Sequence, residues 1–175
     1  MRHGVRPTAV IAIVAGVGML SIGSRDLEPP GWDRAANTRE VARIQEHFSH
    51  VETQLRTADV SSLSPSQLHS RARNLSLLHA YWKAGRFPHN HDFPNQQVLY
   101  FADRHGTPCA IAFLIAESGR QDLVDRMVST NNNGSVFDLA SDPRVGPALL
   151  SWLDQAGLRL DEAALIEPTY SASPL

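Results

Sequence analysis

The sequence predicts a mostly α-helical protein: an N-terminal single membrane-spanning helix, an extended linker, and a compact helical domain with at most one short β-hairpin. Three observations carry this. An uncharged run from Pro7 to Ser24 follows Arg2 and Arg6. Beyond Asn37, apolar residues recur at steps of three and four. Capping residues and glycine stops punctuate those runs at helical lengths. The expected boundaries are residues 1–24 for an anchor or uncleaved signal segment, 25–37 for the linker, 38–170 for the helical domain and 171–175 for a flexible tail.

Composition narrows the function classes. A chain of 175 residues, 42% hydrophobic and 19% charged, can bury a core of its own. Its net charge of −2 supplies no basic footprint, so nucleic acid is not an expected partner. Cys109 is the only cysteine, which excludes an intramolecular disulfide and a cysteine-based metal cluster.

The eighteen uncharged residues from Pro7 to Ser24 would reach about 27 Å as a helix, close to the ~30 Å hydrocarbon core. Arg6 and Arg25 flank the run and could snorkel. Ala12, Gly16 and Gly18 offer the small-residue surface that close packing between membrane helices needs. A signal peptide, with Ser21 and Gly23 before the cleavage point, is the alternative. On the anchor reading, the leading arginines keep the N-terminus cytoplasmic and place the main domain in the periplasm of a bacterial inner membrane. Pro29, Pro30 and Gly31 lie within the linker, and Trp32 is placed to meet the membrane surface, a partner or its own domain.

The first helix of the domain is expected from an Asn37/Glu40 capping box, with Val41, Ile44, Phe48, Val51 and Leu55 as its apolar face. His47 and His50 flank that face. Ser64, Pro65 and Gln67 open a second helix whose core positions are Leu68, Ala72, Leu75, Leu78 and Trp82, stopped by Gly85. The pair should form an antiparallel helical hairpin. Val98 to Ala102 is strand-like, and Asp103 to Gly106 is turn chemistry. Thr107 and Pro108 then start a helix that is apolar nearly all round, which predicts a central position. Leu123, Val124, Met127 and Val128 mark the next helix. Another stretch opens at Asp142-Pro143 and runs through Leu149, Leu150, Trp152 and Leu153 to Gly157. Leu160 and Asp161 begin the last helix, and Pro168 follows it.

Three segments, "GRFPHN", "DRHGTPCAIAFLIAESG" and "WLDQAGLRLDEAALIEPTY", resemble the shared frame of a group of exported bacterial domains to which no activity is attached. The resemblance spans roughly residues 74–170 and rests on Gly85, Phe87, Pro88, Asn90, Gly106, Cys109, Trp152, Gly157, Pro168 and Tyr170. Glu167 departs from it, since the frame leads one to expect glutamine there. The resemblance implies export and a common fold frame, without a reaction.

Two chemistries are conceivable. His89 and His91, two apart in an extended segment, face the same way and could share a metal ion with Asp92 or His105. The alternative is a loop of exposed histidines open to a partner. Cys109, in the first turn of its helix, could act as a thiol with His105. Against this stands a small buried residue beginning an apolar helix. The preferred expectation is a non-catalytic, membrane-anchored accessory or scaffold subunit that needs no cofactor. It would brace other integral membrane protein subunits at the periplasmic face, with photosynthetic reaction centre–light-harvesting or respiratory complexes as possible hosts. Trp32, His89 and His91 are its expected partner contacts. An envelope enzyme using His89 and His91, or Cys109, is the alternative.

Overall fold

The apolar stripe of the first helix docks as its spacing predicts: Ile44, Phe48, Val51 and Leu55 are all buried. The computed structural model describes residues 31–172, and for residues 31–35 the backbone alone. Among these residues it is mostly helical, with seven helices and one two-stranded sheet. The anchor residues Ala12, Gly16 and Gly18 lie outside the described residues. Within the described residues no helix is long and apolar enough to cross a membrane.

Helix α1 (Gly31–Thr57) begins earlier than the expected cap at Asn37, so the linker's second half is helical. The run from Trp32 to Glu40 contains no glycine or proline to interrupt the helix, and Pro29-Pro30 stand just upstream. Trp32 falls in the first turn, and its expected partner contact lies outside the described side chains.

Helix α2 (Pro65–Ala84) carries the predicted capping box. The Ser64 backbone N–H donates to Gln67 Oε1 at 2.9 Å, and the Gln67 N–H returns to Ser64 Oγ at 3.3 Å. Gly85 ends the helix in the left-handed conformation, φ 65°, which a side chain resists. The buried face is rotated from the one expected. Leu68 is 41% exposed and Ala72 is exposed, while Arg71, Asn74, Leu75, Leu78, Tyr81 and Trp82 face inward. The rotation has a cause. Arg71 NH1 and NH2 bond Glu162 at 2.9 and 2.7 Å, and the same guanidinium donates to the carbonyls of Leu55 and Gly157. A buried guanidinium with its donors satisfied ties α1, α2 and the segment before the last helix together.

Helix α3 (Ala110–Glu117) is central, with Ala110, Ile111, Ala112, Leu114 and Ile115 at 1% exposure or less. It starts two residues later than Pro108. Cys109, not Thr107, is the cap, receiving the Ala112 N–H at Sγ over 3.4 Å. Pro108 is extended instead and bridges Ala102. Helix α4 (Gln121–Asn131) buries Leu123, Val124 and Met127. Helix α5 (Val136–Ser141), capped by Ser135 and Asp138, is absent from the sequence expectations because six residues hold too little periodicity to read. Asp142 closes α5 rather than opening the next element.

Helix α6 (Gly146–Ala156) packs on α2 and α5. Its Leu150 is 45% exposed, leaving Leu149, Trp152 and Leu153 in the core. Helix α7 (Leu160–Leu165) is initiated at Arg159, two residues before the cap expected at Asp161; the Arg159 N–H donates to Glu162 at 2.9 Å.

The expected hairpin shrinks to one antiparallel bridge, Ala102 to Pro108 across the Asp103–Gly106 turn, with the Cys109 N–H donating to the Phe101 carbonyl at 2.8 Å, and the two-stranded sheet is not a local hairpin. Strand β1 (Gln97–Val98) pairs antiparallel with β2 (Tyr170–Ser171), in register Gln97↔Ser171 and Val98↔Tyr170. A partner so far along the chain leaves no turn signal to read. Ser171 also leaves the expected flexible tail: its N–H reaches Glu40 Oε1 at 2.8 Å, and Arg43 bonds the Thr169 carbonyl. The C-terminal strand is therefore held on α1.

Candidate functional site

The segment between α2 and β1 holds its shape through two side chains. Asn90, 1% exposed, donates Nδ2 to the carbonyls of Phe93 and Gln96, and its Oδ1 accepts the Phe93 N–H at 3.0 Å. These bonds replace backbone ladders that an irregular segment lacks. Phe87 anchors the segment, stacking on Phe48 with ring centres 5.8 Å apart and meeting Tyr81 edge-on at 5.5 Å.

Asp103 joins this segment to the following turn. Its Oδ2 accepts the His89 N–H at 3.1 Å, and its Oδ1 accepts the N–H groups of His105 and Thr107, each at 2.9 Å. Burial alone would raise its pKa, but the N–H groups of Thr107, His89 and His105 outweigh that and hold it below the usual carboxylate range. Sequence reading identifies Asp103 as turn chemistry only. Its partner His89 is distant in sequence, so no local pattern reports the link.

The consequence is a line of imidazoles. His91 lies between His89 and His105, with ring centres 5.8 Å from the first and 5.6 Å from the second. His89 and His91 are half-buried and His105 is exposed. Burial, then the charge of Arg104 and the two neighbouring histidines, lower the His91 pKa and favour the neutral ring. Arg104 Nε approaches His105 Nε2 at 3.4 Å. Asp92, the alternative to His105 as a further ligand, is engaged elsewhere: Tyr100 Oη donates to it at 2.7 Å. Burial and that carboxylate push the Tyr100 hydroxyl up to about 12. As the side chains stand, no group of three or more described His, Cys, Asp or Glu residues is arranged to hold a metal ion. Beside the histidines runs a groove of about 300 Å³, bounded by Glu40, Arg86, Phe87, His89, Thr107 and Ser171.

Cys109 lies in the interior, 3% exposed, and burial pushes its thiol up to about 12. It keeps its proton at neutral pH, against the thiolate character expected from a place within the helix's first turn. Tyr81 Oη donates to the Pro108 carbonyl at 2.9 Å. Tyr170 Oη, fully buried and close to Tyr81, has no hydrogen bond of acceptable geometry. Glu167 completes this interior group. Burial raises its carboxyl to about 7, although Oε2 accepts the Val136 N–H at 3.1 Å.

His47, which flanks the apolar face of α1, is half-buried and donates Nε2 to the Leu165 carbonyl at 3.0 Å. A further structural residue that sequence reading misses is Glu52. Its carboxylate accepts from Arg56, His79 and Trp82 at 2.7, 2.9 and 2.7 Å. Searches against family models, curated proteins and solved structures found no match to this chain.

Proposed function

We propose that this protein is a non-catalytic accessory or scaffold subunit. Its N-terminal segment tethers it to a bacterial inner membrane, and its helical domain braces integral membrane subunits at the periplasmic face. The observation that carries this reading is the employment of its most reactive side chains. Asp103 is bound to three backbone N–H groups, and Cys109 is a buried, protonated helix cap. Side chains committed in this way fix a surface rather than turn over a substrate. The thiol route loses support from the burial of Cys109.

What the fold presents outward also supports a docking role. Phe137, Leu150 and Leu165 are 50%, 45% and 44% exposed, and the histidine line stands on a clamped segment. Tethering raises the local concentration of such a surface, so modest contacts suffice to hold a partner. Photosynthetic reaction centre–light-harvesting assemblies and respiratory complexes are hosts of the right kind, because a single-span subunit can join them from the lipid.

Purification in mild detergent of the full chain carrying a C-terminal tag tests the reading. Co-elution with integral membrane subunits at fixed stoichiometry is the expected result. A lone monomer, or a soluble form cleaved after Gly23, overturns it.

A further inference from the structure

The hollow where the ends of α3 and α6 meet α2 goes beyond the scaffold reading and does not depend on it. We propose that it binds a small zwitterion of the α-amino-acid type. The ligand's carboxylate lies on Arg73, its ammonium on Glu117 and Asn74, and an apolar side chain against Leu77 and Trp152. The hollow measures about 230 Å³, between Arg73, Asn74 and Leu77 of α2 and the last residues of α3 and α6. That is below the ~300–1,000 Å³ of drug-sized pockets, so the ligand is small. Its apolar floor is fixed. Trp152 is 4% exposed, and its Nε1 donates to Ser118 Oγ at 2.9 Å. Ser118 Oγ in turn donates to the Ile115 carbonyl at 2.6 Å, which holds the indole in place. Leu77, half-buried, adds a second apolar wall.

The polar groups around this floor are left unsatisfied in a complementary way. Asn74 is 8% exposed; its Nδ2 reaches the Ala156 carbonyl at 3.4 Å, while its Oδ1 accepts no hydrogen bond among the described residues. A buried amide oxygen beside a hollow calls for an N–H donor. Arg73 donates Nη2 to the Glu117 main-chain carbonyl at 3.3 Å. Among the described residues, neither the Arg73 guanidinium nor the Glu117 carboxylate has an ion-pair partner. Arg120, the other cation lining the hollow, is already paired with Asp122 at 2.9 Å. Glu117 thus supplies both the carbonyl that holds Arg73 and a free carboxylate, so opposite charges stand within a side chain's length without meeting. A simple anion there would face Glu117, and a simple cation would face Arg73. A molecule with both charges on neighbouring atoms satisfies the two together. The guanidinium offers a planar fork to a carboxylate. The C-terminal ends of α3 and α6 carry partial negative charge and favour an ammonium beside Glu117 and Asn74. Arg73 and Glu117 are exposed, so solvent screening keeps the affinity modest.

Titration of the full chain with L-leucine, followed by calorimetry and by tryptophan emission, tests the site. One equivalent should bind with a Kd of about 0.1–1 mM. N-acetyl-L-leucine lacks the ammonium and L-leucinamide lacks the carboxylate; each should bind weaker by about tenfold or more. Arg73→Gln and Glu117→Gln should weaken leucine binding by a similar factor, whereas Arg39→Gln, exposed on α1, should not. Unchanged thermal melting of the ligand-free variants confirms that each still folds. Should one melt earlier, the two analogues on the unaltered chain carry the test. Lack of binding at about 10 mM leucine overturns the proposal. So does binding that survives Arg73→Gln and Glu117→Gln, or that is lost equally in Arg39→Gln. An analogue that binds as tightly as leucine, the mark of an apolar contact alone, overturns it too.

Discussion

Replacing Glu167 by glutamine should stabilise the domain above neutral pH and leave it nearly unchanged near pH 4. The native carboxyl is raised from 4.5 to about 7, chiefly by burial. The folded state therefore holds a proton that the unfolded chain releases, and stability falls as pH rises through the window between those values. At 1.36 kcal/mol per pKa unit, the ionised carboxylate costs about 3 kcal/mol by pH 8. Residual exposure of the side chain makes about 1–3 kcal/mol the realistic range. Glutamine keeps an oxygen for the Val136 N–H, held by Glu167 Oε2 at 3.1 Å, and removes the charge. It is also the residue that the sequence frame leads one to expect at this position. Urea unfolding of wild type and variant at pH 4 and pH 8, followed by tryptophan fluorescence, gives the comparison. The pH dependence of the difference is the informative quantity, since Asp103 and the other depressed carboxylates weaken both proteins in acid. An equal gain at both pH values, or none at pH 8, would refute a raised carboxyl at Glu167.

Three other outcomes are expected. Arg71→Met removes the buried guanidinium from Glu162, 2% exposed at its side chain, and leaves it the Arg159 N–H and the exposed Arg159 guanidinium at 3.5 Å; equilibrium unfolding at pH 7 should show a loss of about 3 kcal/mol. Asp103→Ala strands the N–H groups of His89, His105 and Thr107. It should cost about 2–4 kcal/mol and accelerate hydrogen exchange at those amides selectively. Cys109, with its thiol at about 12 rather than 9.0, should carry about a thousandfold less thiolate near neutral pH than a free cysteine. Alkylation of the native protein should therefore be slow and should speed up sharply in urea, and rapid native labelling would contradict its burial.

The helices were legible where their signals are local and long. The spacing of Ile44, Phe48, Val51 and Leu55 and the Ser64–Gln67 box report α1 and α2 directly. The near-continuous apolar run after Cys109 reports the central α3. Failures came where a distant partner decides. Arg71 displaces Leu68 from the α2 core face because Glu162 and two carbonyls await it inside. Even so, Arg71 stands in helical step with Leu75 and Leu78, so a signal was present for a reader who admits arginine to a core. Val98 pairs with Tyr170, which no hairpin rule anticipates. At the candidate site, His89 and His91 were visible as a pair. His105 was named beside them as a possible companion, but the link through Asp103 was not, because a bridge made by backbone N–H groups leaves no mark on residue identity.

The β1–β2 pairing has a consequence for the order of events in synthesis. Tyr170 is a core residue, and Ser171 closes on Glu40 across 131 positions of chain. While the polypeptide emerges in sequence order, α1 and α2 can pair early, but the space that Tyr170 fills stays open until the segment beyond α7 has appeared. Closing so long a loop is slow and comes late. Through that interval the nascent domain exposes part of its interior, and it is then most open to misfolding and aggregation.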